Sequence, residues 1–128
     1  MKGPREHAQA LLGKADNDLI AATATLETGK ALDTVCFHAQ QAAEKSLKAI
    51  LALNSIPYPF RHDLGELTSL VKRHHPLDAA LEAGILALTP YAIAARYDDV
   101  ISPTLHEARV ALEIAQKARA FAEKVLAP

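Results

Sequence analysis

The sequence predicts an all-α fold, an up-down antiparallel four-helix bundle with a short accessory helix. The 128 residues include 26 alanines and 18 leucines against only 12 valines and isoleucines together. Alanine and leucine are strong helix formers, whereas β-branched residues favour strands. Apolar residues also recur at three- and four-residue intervals, and short connections separate these stretches, which favours antiparallel neighbours. Length and composition predict one domain, covering residues 1–128.

Periodicity places the first two helices at about Pro4–Glu27 and about Asp33–Leu53. Pro4 suits a first helical turn, where its missing N–H group costs nothing. Gly29 is expected to break the chain between the two helices. Residues 54–60 contain two closely spaced prolines and are therefore predicted to form a connecting loop.

A third, shorter helix is predicted to begin after Asp63, which makes a good N-cap with Glu66 three residues later. The fourth helix is predicted at roughly Leu77–Ala95, and Pro90 within it should kink it or break it in two. For the last helix, the start is predicted after residues 102–104, since Thr104 and Glu107 have capping-box spacing as well.

Charge and cysteine content restrict the possible functions. The 14 basic and 15 acidic residues give a net charge of −1, so the total does not indicate binding to nucleic acid or an anionic membrane. A single cysteine, Cys36, excludes an internal disulfide and a cysteine-based zinc site. There is no apolar run long enough to span a membrane, and the first residues lack the apolar stretch of a signal peptide. We therefore expect a cytoplasmic protein.

Several catalytic patterns are absent from the sequence. No histidine has a glutamate three positions before it, and no two histidines lie four residues apart. These are the spacings that helical metal centres require. Phosphate-binding glycine loops and the Gly-x-Ser-x-Gly turn are also missing. The sequence thus predicts no metal and no cofactor, and Cys36 is expected to be a small core residue rather than a nucleophile.

The second predicted helix carries four polar residues on one face. At about 100° per residue they fall within an arc of roughly 80°. These residues, named here the α2 polar row, are His38, Gln41, Lys45 and Lys48. An imidazole, an amide and two ammonium groups could hold a phosphate and the edge of a base. Alternatively, the row is a solvated helix face, with Glu44 and Lys48 forming a surface ion pair.

Two further polar clusters lie near predicted helix ends. His62 directly precedes the third helix and could either pack or bind a ligand. Arg96, Tyr97 and Asp99 follow the end of the fourth helix, where an arginine is also favourable to the helix dipole. An arginine, a tyrosine and carboxylates just outside a bundle are equally consistent with a pocket for a polar ligand.

Taken together, these clusters resemble the HEPN family (higher eukaryotes and prokaryotes nucleotide-binding domain). The resemblance covers nearly the whole chain, and its most specific part is the run Gln-Gln-Ala-x-Glu-Lys-x-Leu-Lys in the second helix. The matching stretches are Ala15-Asp16-Asn17-Asp18-Leu19, residues 37–48, His62-Asp63-Leu64-x-Glu66-Leu67, Ala95-Arg96-Tyr97, and Glu107-Ala108 in the alanine-rich last helix.

The resemblance implies a bundle of four main helices with a shorter accessory one, usually paired as a homodimer. Small prokaryotic relatives are often encoded beside a minimal nucleotidyltransferase, and such pairs act as toxin–antitoxin or related defence systems. Many HEPN proteins are metal-independent ribonucleases that use an arginine and a histidine separated by four to six residues. In that mechanism the histidine would move protons and the arginine would stabilise the phosphate.

This chain departs from the ribonuclease pattern, because no arginine has a histidine at that spacing, and residues 101–103 occupy the window after Arg96. Asp98 also stands where relatives commonly carry proline. The sequence therefore favours a binding protein for a nucleotide or a minimal nucleotidyltransferase. One alternative is a divergent endoribonuclease, acting on RNA, in which His62 or His106 replaces the missing histidine in space. The other is a non-catalytic dimeric adaptor with an apolar interface.

Overall fold

Five α-helices and one 3-10 helix make up the computed structural model, which describes residues 3–58, 63–92 and 102–128. No strand occurs within these ranges, so the predicted all-α class is confirmed. The α-helices are α1 (Pro4–Glu27), α2 (Leu32–Leu53), α3 (Leu64–Lys72), α4 (Ala79–Ala87) and α5 (Leu105–Leu126), and the 3-10 helix is Thr89–Ala92.

The connection between α1 and α2 follows the sequence prediction closely. Helix α1 has the predicted bounds, and α2 begins one residue before the predicted start. Gly29 lies in the connection with a φ of 69°, a left-handed conformation that glycine adopts without steric cost. The chain reverses here, so α1 and α2 run antiparallel and pack along most of their lengths.

The predicted caps of α3 and α5 are present. The Asp63 carboxylate accepts a hydrogen bond from the Glu66 backbone N–H at 3.1 Å. At the start of α5, the Thr104 hydroxyl accepts from the Glu107 N–H at 3.0 Å, while the Glu107 carboxylate accepts from the Thr104 N–H at 2.9 Å. Both ends therefore satisfy backbone donors that have no partner inside the helix.

The predicted fourth helix is broken, as its proline predicts. Helix α4 ends at Ala87, and the 3-10 helix that follows contains Pro90. A proline disfavours the α conformation in the residue before it and supplies no N–H, which explains the break. The start is also later than predicted, because Asp78 caps α4 by accepting from the Leu81 N–H at 2.9 Å. Residues 93–95 of the predicted helix lie outside the described residues.

Helix α2 occupies the centre of the bundle and packs against α1, α3 and α5. Its large apolar side chains Leu47, Ile50 and Leu51 are fully buried. Much of the remaining core of the long helices is alanine, a small residue that allows helix axes to approach closely. Helix α5 runs antiparallel to α1, since Arg5 Nη1 donates to the carbonyl of Leu126 at 2.7 Å, joining the start of one helix to the end of the other.

Within the described residues, none of the helices has the length and the apolar character needed to cross a membrane.

The capping box of α5 predicts a pH-dependent contribution to stability. Hydrogen bonds from Thr104, above all from its backbone N–H, lower the pKa of Glu107 below its ordinary value of 4.5. A carboxylate whose pKa is lowered by folding stabilises the folded state above its unfolded pKa, and that contribution is lost as the pH falls through the folded value. Glu107→Gln should therefore lower the melting temperature near pH 7, and its difference from the wild type should shrink below about pH 4.5.

Thermal unfolding followed by circular dichroism between pH 3 and 7 measures this difference. Glu113→Gln is the matched control, because Glu113 is an exposed glutamate in the middle of the same helix, away from the cap. A Glu107→Gln difference that stays constant over the whole pH range would contradict the prediction.

Candidate functional site

The α2 polar row lies beside the seam between α1 and α2. Its four side chains are half-buried rather than solvated: His38 and Lys45 expose 28% and 27% of their side-chain surface, and Lys48 exposes 14%. The same arc that carries the row borders the buried face of α2, so its polar groups must be hydrogen-bonded where they leave solvent. Two carboxylates, Asp18 and Glu44, pair with the histidine and the two lysines, and the amide oxygen of Gln40 accepts from Gln41.

Asp18 is held by two residues of the row. It belongs to α1 and is nearly buried, with 10% of its side chain exposed. Its Oδ1 atom lies 2.9 Å from Nδ1 of His38, and its Oδ2 atom accepts from Nζ of Lys45 at 2.6 Å. Both carboxylate oxygens are therefore occupied by side chains of the neighbouring helix, and the two half-buried bases are held at defined positions.

Glu44 organises the other two residues of the row. It is buried, and its Oε2 atom accepts from Nζ of Lys48 at 3.1 Å. Its Oε1 atom accepts from Nε2 of the buried Gln40 at 3.3 Å, and Oε1 of Gln40 accepts from Nε2 of Gln41 at 2.6 Å. The expected surface pair of Glu44 and Lys48 is thus an ion pair whose carboxylate lies in the interior, so the interpretation of the row as a simple solvated face is wrong at this point.

Tyr58 lies at the far end of the row, just after α2. Nζ of Lys48 is 5.5 Å from the centre of the Tyr58 ring, within cation–π distance. The Tyr58 hydroxyl lies 3.2 Å from Nε2 of His7 in α1. Burial raises the pKa of Tyr58 above its ordinary value, so this hydroxyl stays protonated and can donate. The polar contacts of the row therefore continue across to the first turns of α1.

This arrangement presents hydrogen-bond donors to an anion. An ammonium group has three N–H donors, and among the described contacts Lys45 and Lys48 each use one on a carboxylate. The two lysines are three residues apart, so they project from neighbouring turns of one helix face. Since Asp18 and Glu44 balance the charges of Lys45 and Lys48, an anion at the row would meet oriented donors rather than a large net positive charge.

The structure brings together four of the eight residues that the sequence singled out, all of them in α2. His62, Arg96, Tyr97 and Asp99 lie outside the described residues, so their place relative to the row stays a prediction. In the described part of the chain, no three histidine, cysteine, aspartate or glutamate side chains gather as metal ligands would.

Sequence reasoning missed Asp18 as a partner of the row, and it placed the Glu44–Lys48 pair at the surface although the Glu44 carboxylate is buried. The signal was present, because Asp18 lies on the apolar stripe of α1, between the buried Ala15 and Ala22. A carboxylate at such a position must be paired, and the donors have to come from the facing helix. What the pattern alone lacks is the register of α1 against α2, which identifies those donors as His38 and Lys45.

Cys36 is a core residue, as predicted. Its side chain is fully buried, and burial raises the pKa of its thiol to about 11. A thiolate is the nucleophilic form of cysteine, and at neutral pH this residue stays protonated.

Geometry and fold thus define a class: an α-helical bundle domain with a paired polar row beside its central seam. Comparison with known proteins gives the family. The HEPN domain family matches residues 8–125, and the chain belongs to this family.

Solved structures support the fold assignment. The chain is similar to TT1696 from Thermus thermophilus, with 29% identity and a TM-score of 0.82 over 93% of this chain and 98% of that one. It is also similar to ST0689, an archaeal HEPN homologue, with 21% identity and a TM-score of 0.76 over 99% and 100% of the two chains. A HEPN domain protein from Thermotoga maritima, tm0613, shows 22% identity and a TM-score of 0.73 over 91% and 97%. Among curated proteins no match was found.

The double pairing of Asp18 predicts a stability difference between two neighbouring aspartates. Asp18→Ala removes hydrogen bonds to two ionisable partners at a nearly buried position, and we expect it to lower the free energy of unfolding by roughly 1.5–3 kcal/mol. Asp16 is the matched control: it pairs with Arg119 at 2.7 Å, but its side chain is 43% exposed. Asp16→Ala should cost less than Asp18→Ala, because the Asp16 carboxylate keeps much of its hydration even though Arg119 bonds both of its oxygens.

Urea unfolding monitored by circular dichroism gives both values. An Asp18→Ala protein that is no less stable than the Asp16→Ala protein would show that the Asp18 contacts do not hold α1 against α2.

Proposed function

We propose that this HEPN-domain protein is a non-catalytic binding protein that holds a nucleotide through the α2 polar row, and that it acts with a minimal nucleotidyltransferase partner in a toxin–antitoxin or defence-type pair. The observation that carries nucleotide binding is the fixed position of Lys45 and Lys48 above buried carboxylates. The partner and the pathway rest on the family resemblance.

Preorganisation is the physical reason to expect binding at the row. Long lysine side chains lose rotamer freedom when they close on a ligand, and that loss weakens binding. Here the carboxylates of Asp18 and Glu44 already restrict both lysines before any ligand arrives. A phosphate that bridges the two ammonium groups would therefore meet donors that are already in position.

Binding is favoured over cleavage because the arginine–histidine spacing of the family's ribonucleases is absent from the sequence. His38, the one histidine of the row, has its Nδ1 atom engaged with Asp18. The row therefore supplies phosphate donors without the arginine–histidine pair on which the ribonuclease mechanism depends.

Nucleotide binding should be visible as thermal stabilisation. A ligand that binds only the folded state at about 100 times its dissociation constant adds about 2.7 kcal/mol to stability. Millimolar ATP, GTP, CTP or UTP should therefore raise the melting temperature.

In isothermal titration calorimetry, Lys45→Gln and Lys48→Gln should each weaken nucleotide binding roughly tenfold, as expected when one charged hydrogen bond is lost.

Lys72→Gln is the control for this experiment, because Lys72 is a more exposed lysine that pairs with Glu82 at 3.1 Å, between α3 and α4. The Lys72→Gln protein should bind the nucleotides with the affinity of the wild type. Identical melting curves with and without all four nucleotides would refute nucleotide binding.

A second candidate function, assembly with a second copy of the chain, is supported by α4. The nine residues of this helix, Ala79–Ala87, are almost all apolar. Ile85 is nevertheless the one residue of α4 that is buried. A groove of about 310 Å³ lies between α4 and α5; Val110, which lines it, is 40% exposed, and Leu86, elsewhere on α4, is 38% exposed. A helix that is apolar all round is normally covered, so we propose that this surface forms a homodimer interface.

Charge placed on this surface should separate the dimer. Leu86→Lys combined with Val110→Lys should convert the protein from dimer to monomer in light scattering coupled to gel filtration, because two lysines per protomer would be buried unpaired. Ile20→Lys is the control, since Ile20 is a still more exposed apolar residue, on α1. An unchanged mass for the double variant would exclude this surface.

A further inference from the structure

A pocket of about 390 Å³ lies beyond the end of the α2 polar row. The first turn of α1 forms one wall, and the last turn of α2 with the segment after it forms the other. Its lining includes Pro4, His7, Ala52, Ser55, Pro57 and Tyr58. This volume is in the lower part of the range of small-molecule sites, so the pocket suits one flat ring system rather than a whole nucleotide.

Tyr58 connects this pocket to the row. It lines the pocket, its hydroxyl meets His7 across it, and Nζ of Lys48 lies over its ring. Ala52, on the pocket floor, comes four residues after Lys48 in α2, which is about 6 Å along a helix axis. A ligand that occupies the pocket is therefore within reach of the last cation of the row.

The lining of the pocket differs in chemistry from the row. Two prolines, an alanine and the tyrosine give flat apolar walls, while His7 and Ser55 supply polar groups at the edge. None of the described residues that line the pocket is a lysine or an arginine, and the nearby Arg5 is engaged with the Leu126 carbonyl. Such a lining does not suit a phosphate, but it does suit a base, which stacks its face on an aromatic ring and offers polar atoms at its edge.

We infer that this pocket is the base subsite of the nucleotide site. The base of a nucleoside triphosphate lies against Tyr58, and its phosphates extend along α2 to Lys48 and Lys45. The inference rests on the proposed function, because it requires the row to hold the phosphates. It adds a division of labour: the row binds any polyphosphate, and the Tyr58 pocket makes the protein prefer a nucleotide.

Two ligands and four proteins test this division by calorimetry. The ligands are ATP and inorganic tripolyphosphate, and the proteins are the wild type, Tyr58→Phe, Tyr58→Leu and Tyr91→Leu. Tyr58→Phe keeps the ring and loses the hydroxyl, whereas Tyr58→Leu keeps apolar volume and loses the ring. Tyr91 is the matched control, because it is also a half-buried tyrosine but lines the groove between α4 and α5.

The wild type should bind ATP more tightly than tripolyphosphate. Tyr58→Leu should weaken ATP binding roughly tenfold, the effect expected when one base loses its aromatic platform. Tripolyphosphate binding should weaken by no more than about twofold, because Lys48 loses its ring contact but keeps its ion pair with Glu44. Tyr58→Phe and Tyr91→Leu should stay within about twofold of the wild type for both ligands. Urea unfolding of each variant shows that it is folded before titration.

The possible failures are distinguishable. Equal affinity of the wild type for ATP and tripolyphosphate, or equal weakening of both ligands by Tyr58→Leu, overturns the base subsite and leaves phosphate binding by the row in place. If neither ATP nor tripolyphosphate binds the wild type, the proposed function and the base subsite are both overturned.

Discussion

The position of the Asp18 carboxylate between His38 and Lys45 constrains the rest of the structure. Taking a carboxylate out of water costs several kcal/mol unless good donors replace the lost hydration. Here both donors come from α2, on opposite oxygens, at 2.9 and 2.6 Å. Both contacts can form only when α1 and α2 are aligned in one register. One buried charge therefore fixes the alignment of α1 and α2, two of the three long helices described.

The same constraint produces the candidate site. Donors that must reach a buried carboxylate cannot also lie free in solvent, so the α2 polar row is half-buried along the seam. Glu44 repeats the arrangement within α2, and it holds Lys48 as Asp18 holds Lys45. Stability and the proposed binding thus share a side chain: the ion pair between Asp18 and Lys45, which aligns α1 with α2, also holds the Lys45 ammonium group in position.

Packing within the bundle is uneven. The long helices meet through small alanine side chains and bury most of their apolar surface, whereas α4 leaves most of its apolar residues outside the core. Gly84 belongs to the contact between α4 and α5: a Cβ atom there would collide with the end of the Ile114 side chain, so the two helices approach closely at this position. The polar row and the apolar surface of α4 involve different residues, which separates the proposed ligand site from the proposed interface.

The sequence by itself determined the helices and most of their ends, because these depend on local chemistry: alanine and leucine content, Gly29, Pro90, and the caps at Asp63 and Thr104. It also located the α2 polar row, since helical periodicity alone places those residues on one face. Only the tertiary structure decided what the row contacts. Pairing with Asp18 depends on the register between α1 and α2, and the Tyr58 pocket depends on the path of the chain after α2. The spacing of residues along one helix determines neither the register nor the path.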